Sequence, residues 1–99
     1  MEPRILQDIT ARIIADNRLN LRDIKLLLAL CTVSDYALTV NNVSRKQLGQ
    51  IAGMAEDVIT IISARLQKLG WIKKSGNGGR SQPASYQLAI PQQFIHKIN

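Results

Sequence analysis

The sequence predicts a mainly helical domain that carries a small β-hairpin. Apolar residues recur at helical spacing in successive segments of the 99-residue chain. Glycines stand at positions 53 and 70, directly after two of those segments, where helices commonly end. The stretches "WIKK" and "SYQLAI" flank the Gly- and Ser-rich connector "SGNGGRSQPA", a pattern that predicts two strands joined by a long tip.

Two helices are predicted in the N-terminal third. "RILQDITARII" carries one broad apolar stripe, and we place the N-terminal helix within residues 1–18. Asn20 suits the N-cap of the next helix, with Asp23 favourable for the macrodipole in its first turn. This second helix, "LRDIKLLLALCTVS", is apolar around most of its circumference, so we expect it to be covered on two sides. The N-terminal helix either packs on the same chain or forms a dimer interface.

A strand and two further helices are predicted next. "YALTVNNV" predicts an edge strand or an extended linker. Ser44 and Gln47 have the spacing of a capping box and begin a short helix that Gly53 ends. Its predicted inward residues are Leu48, Ile51 and Ala52. A longer helix runs from about Ala55 to Leu69, where Gly70 stops it. Its predicted inward residues are Ile59, Ile62, Leu66 and Leu69.

The positive charge of the chain is concentrated in its second half. Thirteen Lys and Arg residues against seven Asp and Glu residues give a net charge of +6. Residues 1–44 are balanced, whereas residues 45–82 carry seven cations and two acids. The excess coincides with the two helices around Gly53 and with the hairpin. Such localisation suits a surface that contacts phosphates, although a merely solvated basic surface would have the same composition.

The order of these elements resembles the winged helix-turn-helix family over residues 21–90. The most specific part is "GMAEDVITIISARLQKLGWI", in which a glycine turn precedes a helix with a Leu-Gly-Trp-Ile ending. The chain is also similar to the origin-binding module of lambdoid phage replication proteins and to small phage or plasmid regulators. The resemblance implies sequence-specific binding of double-stranded DNA, in transcription regulation or in replication initiation. Winged helices also serve as protein-docking modules, which is the alternative.

One domain is expected over residues 1–99. Residues 21–90 form its winged-helix core, and residues 91–99 form a C-terminal tail that Pro91 starts as a short helix. A homodimer through the N-terminal helix or this tail is expected. Because the chain has neither an apolar run long enough to span a membrane nor a signal-peptide core, we expect it to be cytoplasmic.

Candidate DNA contacts fall into two sets. With the apolar side of the longer helix inward, its outward face would enter the major groove. That face consists of Asp57, Thr60, Ile61, Ala64 and Lys68. Phosphate contacts are expected from the surrounding cations. These are Arg45, Lys46, Lys73, Lys74 and Arg80. Asp57 either stabilises the helix start or accepts a hydrogen bond from a cytosine amino group, with Thr60, Ile61 or Ala64 against thymine methyl groups.

The inventory of reactive side chains argues against an enzyme. The chain has one Cys and one His, and "GNGGR" lacks the Lys-Ser/Thr ending of a phosphate-binding loop. Cys31 lies in an apolar run and is expected to be buried. Trp71 is expected to anchor the hairpin to the core. We therefore expect no catalytic, cofactor or metal site.

Overall fold

The predicted mainly helical architecture with a small sheet is confirmed by the computed structural model, which describes residues 3–35, 37–75, 84–89 and 91. The helices are α1 (Pro3–Ala15), α2 (Leu21–Val33), α3 (Arg45–Ala52) and α4 (Glu56–Leu69). The strands are β1 (Thr39–Val43), β2 (Ile72–Ser75) and β3 (Ala84–Leu88). From α1 to β3, this is the order of elements that the sequence predicts, and it is compatible with a winged-helix fold.

Local sequence signals set the helix ends. The Asn20 side chain accepts a hydrogen bond from the Asp23 N–H at 2.9 Å, and the Asp23 carboxylate accepts one from the Asn20 N–H at 2.9 Å. Asp23 thus completes a capping box, a role beyond the macrodipole contribution predicted for it. The box predicted at Ser44 is confirmed. Gly53 and Gly70 end α3 and α4 at φ values of 68° and 89°, which glycine adopts without steric cost.

The end of α1 is set by a side chain that follows it. The helix ends at Ala15, within the predicted range of residues 1–18. The Asp16 carboxylate accepts a hydrogen bond from the Arg18 N–H at 3.0 Å, so the side chain stabilises a turn instead of another helical turn. The chain therefore reverses at Asp16 to start α2.

The three strands form one antiparallel sheet with β3 in the centre. β1 is an edge strand, as predicted, and it has an irregularity between Val40 and Val43 where Asn42 has a φ of 54°. The pairing of β2 with β3 confirms the hairpin, whereas its predicted tip, residues 76–83, lies outside the described residues. Of the predicted C-terminal helix, only Pro91 is described, and it is buried.

The core forms around α2, which contacts α1 on one side and the pair α3 and α4 on another. Ile9 and Ile13 of α1 are buried in it, so the N-terminal helix packs on its own chain. Cys31 and Trp71 are buried as predicted. One inward prediction is wrong, because the Ile51 side chain is 43% exposed. Its neighbours Leu48 and Ala52 already fill the narrow face that α3 turns to the core.

Candidate nucleic-acid interface

The turn between α3 and α4 brings the two helices close together. The Met54 N–H donates a hydrogen bond to the Gly49 carbonyl at 2.9 Å. A Cβ atom added at Gly49 would lie 2.5 Å from the Met54 carbonyl oxygen, so the tight turn needs glycine inside α3 as well as after it. This packing fixes the direction in which α4 leaves the turn.

The outward face of α4 is free of contacts with the core. At 100° per residue, the buried residues Ile59, Ile62 and Leu66 define one side of the helix. The centre of the opposite side holds four of the predicted base-contacting residues, and all four are exposed. They are Asp57, Ile61, Ala64 and Lys68. Thr60 is exposed on the flank of this face that lies towards α3.

The acidic start of α4 has a local structural role. Ala55 occupies the N-cap position and makes no side-chain hydrogen bond to the helix. One oxygen of the Asp57 carboxylate accepts a hydrogen bond from the Val58 N–H at 3.0 Å. A carboxylate in this position also opposes the positive end of the helix dipole. Stabilisation of the helix start therefore accounts for at least part of what Asp57 does, and its side chain is still exposed.

Arg45 links the start of α3 to the flank of α4. Its Nη1 donates a hydrogen bond to the Thr60 hydroxyl at 2.7 Å. Its charge also acts on Tyr86 of β3. Burial raises the pKa of the Tyr86 phenol, and the positive charge of Arg45 opposes that rise. The side chain is partly buried between these elements, and it takes part in no ion pair among the described residues.

Lys46 stands beside an open cleft of about 500 Å³ between α3 and the start of α4. Glu56, on the opposite helix, also lines the cleft. Lys46 is exposed, whereas Glu56 is partly buried. The two acids that open α4 thus differ in position, since only Asp57 lies on the outward face.

The two lysines of β2 lie on opposite faces of the sheet. Lys74 pairs with Tyr86, whose side chain is buried, and Lys73 pairs with Gln87. Successive side chains of a strand alternate between faces, so Lys74 is on the helix-facing side and Lys73 on the outer side. Lys74 is half-buried and Lys73 is exposed. Arg80, predicted at the hairpin tip, lies outside the described residues.

A buried polar network behind α4 was not predicted. The Trp71 Nε1–H donates to the Asp16 carboxylate at 2.7 Å, and Arg18 donates to both oxygens of that carboxylate at 2.9 and 2.8 Å. The hydrogen bonds from the Arg18 guanidinium hold the pKa of Asp16 at about 2, below its usual 3.8. A buried indole N–H requires a hydrogen-bond acceptor, so the sequence could indicate that Trp71 has a polar partner. It could not indicate which residue that partner is.

Arg65 of α4 joins the same network. Its Nε donates to the buried Asp23 carboxylate at 2.9 Å, and its Nη2 donates to the Arg18 carbonyl at 2.7 Å. Arg65 belongs to the basic half of the sequence, but its charge is compensated inside the fold. The network therefore ties α4 to the turn between α1 and α2.

The ion pairs formed by the described residues do not include the described candidate cations. The structure forms three pairs among its described residues, and they join Arg12 to Asp8, Arg18 to Asp16 and Arg65 to Asp23. None of them includes a cation predicted to contact phosphate. The described cations of that kind are Arg45, Lys46, Lys73 and Lys74, and Lys68 on the outward face of α4 is in none of the three pairs either. The acids of the N-terminal half are thus used mainly within that half and towards the back of α4.

Cys31 is a free cysteine, and its side chain is buried. Burial raises the pKa of the Cys31 thiol to about 11. No group of three or more His, Cys, Asp or Glu side chains in this part of the chain is arranged to hold a metal ion. None of the helices described is both long and apolar enough to cross a membrane.

Comparisons with known proteins give no relative from which a function can be transferred. Neither a protein-family model, nor a curated protein, nor a solved structure matches the chain.

Proposed function

We propose that this protein binds double-stranded DNA in a sequence-specific manner, with α4 in the major groove. The observation that carries the proposal is the uncovered outward face of α4 beside cations that form no ion pair with an acid among the described residues. DNA is a polyanion, and each cation that neutralises a phosphate releases condensed counterions. The protein would act as a transcription regulator or as the DNA-reading module of a phage or plasmid replication initiator.

The outward face and the surrounding cations would have different tasks. Asp57, Ile61 and Ala64 offer a carboxylate and apolar groups, which suit a cytosine amino group and thymine methyl groups. Arg45 and Lys46 lie at the start of α3 and would contact phosphates. Lys68, Lys74 and Arg80 would also contact phosphates. Lys73, on the outer side of the sheet, would contribute mainly to the long-range attraction of DNA.

The first test is selection of bound sequences from a pool of random duplexes, followed by titration at two salt concentrations. About five phosphate contacts would give a logarithmic salt slope near −4.5, so the affinity should fall about 500-fold between 50 and 200 mM salt. Enriched sites together with this slope would support the proposal. Binding that is undetectable, or equal for all duplexes, would refute sequence-specific recognition.

Paired variants separate the reading of bases from the general electrostatic attraction between the protein and DNA. Asp57→Asn should change which sequence is preferred, since the amide no longer presents two acceptors. If Asp57→Asn only tightens binding to every duplex alike, Asp57 serves the helix start alone. Arg22→Ala is the matched charge control for any cation variant, because Arg22 is exposed on α2 and outside the proposed surface. It should alter binding less than Lys46→Ala does.

A second candidate function, protein docking through α4, is favoured by one observation. The Ile61 side chain is 69% exposed at the centre of the outward face and has Ala64 beside it. Ile61→Gln would then abolish binding of a protein partner, whereas under the DNA proposal it changes the preferred base at one position. Failure of the random-duplex selection would leave docking as the better explanation.

The proposed dimer can be tested in the same selection. Ile14 of α1 is 70% exposed although Ile9 and Ile13 of the same helix are buried in the core, so it is the natural contact in a dimer through α1. A palindromic enriched site would indicate two copies on one duplex. Sedimentation of wild-type protein and of Ile14→Gln would show whether α1 holds them together, or whether the C-terminal tail must be tested instead.

A further inference from the structure

The hydroxyl of Thr60 is already engaged by the fold. It donates its single hydrogen to the Glu56 carbonyl at 3.1 Å, and it accepts the hydrogen bond from Arg45 Nη1 at 2.7 Å. A hydroxyl has one hydrogen to donate. The Thr60 hydroxyl therefore cannot donate to the acceptors on guanine, adenine or thymine unless it first releases the helix carbonyl.

Arg45 is held at the other end of this contact, and no acid of the described residues forms an ion pair with it. Its Nε atom is buried and has no hydrogen-bond partner in the described part of the protein. A partly buried guanidinium that lacks an anion is costly, so it is well suited to bind one.

The position of the contact favours a backbone phosphate as that anion. Thr60 lies on the flank of the outward face of α4 and not at its centre. When a helix lies in the major groove, groups at its flanks are nearer to the phosphate backbone than to the base edges. A guanidinium fixed on this flank therefore meets phosphate first.

We propose that Thr60 is a positioning residue that holds the Arg45 guanidinium for one DNA phosphate and that it does not read a base. This inference rests on the proposed function. It limits base reading by α4 to the residues at the centre of its outward face. Any effect of Thr60 on the affinity for DNA then acts through Arg45.

Two substitutions at Thr60 separate the possible roles. Thr60→Val keeps the shape and the methyl group but removes the hydroxyl, whereas Thr60→Ser keeps the hydroxyl and removes the methyl group. Thr60→Val should lower the affinity about fivefold, as expected for loss of one hydrogen bond of ordinary strength, and by the same factor for every duplex. Thr60→Ser should bind as the wild type does, with the same preferred sequence.

Arg45→Ala supplies the second side of a double-mutant cycle. Loss of one phosphate contact should reduce the salt slope by about 0.9, which corresponds to a loss of about eightfold at 0.1 M salt and about threefold at 0.3 M. Thr60→Val should have no further effect once Arg45 is alanine. A purely structural role of Thr60 would instead lower affinity equally in both backgrounds.

The outcomes distinguish this inference from the function on which it rests. If wild-type protein selects no duplex, the proposed function fails. If it selects duplexes and either Thr60→Val or Thr60→Ser changes the preferred sequence, Thr60 reads a base and the inference is wrong. Thermal unfolding identifies any variant that is not folded. If Thr60→Val does not fold, Thr60→Ser still tests the inference. Loss of a methyl group that contacts a base would change the preferred DNA sequence of Thr60→Ser.

Discussion

Replacement of Asp16 by Asn should destabilise the fold in a manner that depends on pH. Asn keeps an oxygen that can accept the hydrogen bond from Trp71 Nε1, but it brings no charge to Arg18. The pKa of Asp16 is about 2 in the folded protein and 3.8 in its ordinary state. One pKa unit corresponds to about 1.4 kcal/mol, so the charged form contributes about 2 kcal/mol to stability at neutral pH.

Solvent reduces the stabilisation that the ion pair between Asp16 and Arg18 provides. The Arg18 side chain is 36% exposed, whereas that of Asp16 is almost fully buried. Water screens the exposed part of the guanidinium. We therefore expect Asp16→Asn to lower the free energy of unfolding by about 1–2 kcal/mol at pH 7, a sizeable share of the ~5–15 kcal/mol typical of a domain.

The pH dependence identifies the charge as the cause. Because the folded-state pKa is the lower one, the contribution is complete above pH 3.8 and is lost as the pH falls towards 2. Urea denaturation at pH 7, 4 and 2, followed by the fluorescence of the one tryptophan, measures it. Asp8→Asn, at an exposed α1 ion pair, is the control and should change stability by less than about 0.5 kcal/mol. A difference between wild type and Asp16→Asn that stays the same from pH 7 to pH 2 would refute the electrostatic explanation.

Three further variants or reactions test other parts of the structure. Gly49→Ala should lower the free energy of unfolding by about 1–3 kcal/mol, since the new Cβ meets the Met54 carbonyl. Gln50→Ala, on the exposed side of α3, is the control and should not lower it. Equal thermal midpoints of the two variants would contradict the tight turn. Arg65→Ala should lower stability in urea by about 1–3 kcal/mol and leave the salt slope of DNA binding unchanged, because its charge is engaged by a buried acid. Cys31, with its pKa raised to about 11, should resist a thiol reagent at pH 8 until urea unfolds the protein, and fast labelling of native protein would be the contrary result.

The helices, their ends and the hairpin could be predicted because their signals are local. The capping box at Ser44 and the left-handed glycines at 53 and 70 each depend on residues within one turn of the helix end. The exposed face of α4 follows in the same way from the positions of its apolar residues. Ile51 was misplaced because a helix of eight residues has too few turns for its apolar pattern to define one face.

The polar network could not be predicted because its partners are distant in sequence. Asp16 and Trp71 are 55 positions apart, and Arg65 and Asp23 are 42 apart. Helical spacing gives the direction of each side chain relative to its own helix but not which helix it will face. Arg65 therefore counted among the basic residues of the second half, and only its contact with Asp23 reveals that it stabilises the fold.

The same network stabilises the fold without using the cations of the proposed DNA-binding surface. Seven acids stand against thirteen Lys and Arg residues, so some of these cations must remain without an acid of their own in the isolated protein. The structure uses Asp16 and Asp23 for the arginines that hold the turn before α2 against α4. An acid placed beside Arg45 instead would lower the repulsion on the outward side, but it would compete with phosphate for that guanidinium. The separation of buried acids from the cations beside α4 therefore suits the proposed binding of DNA.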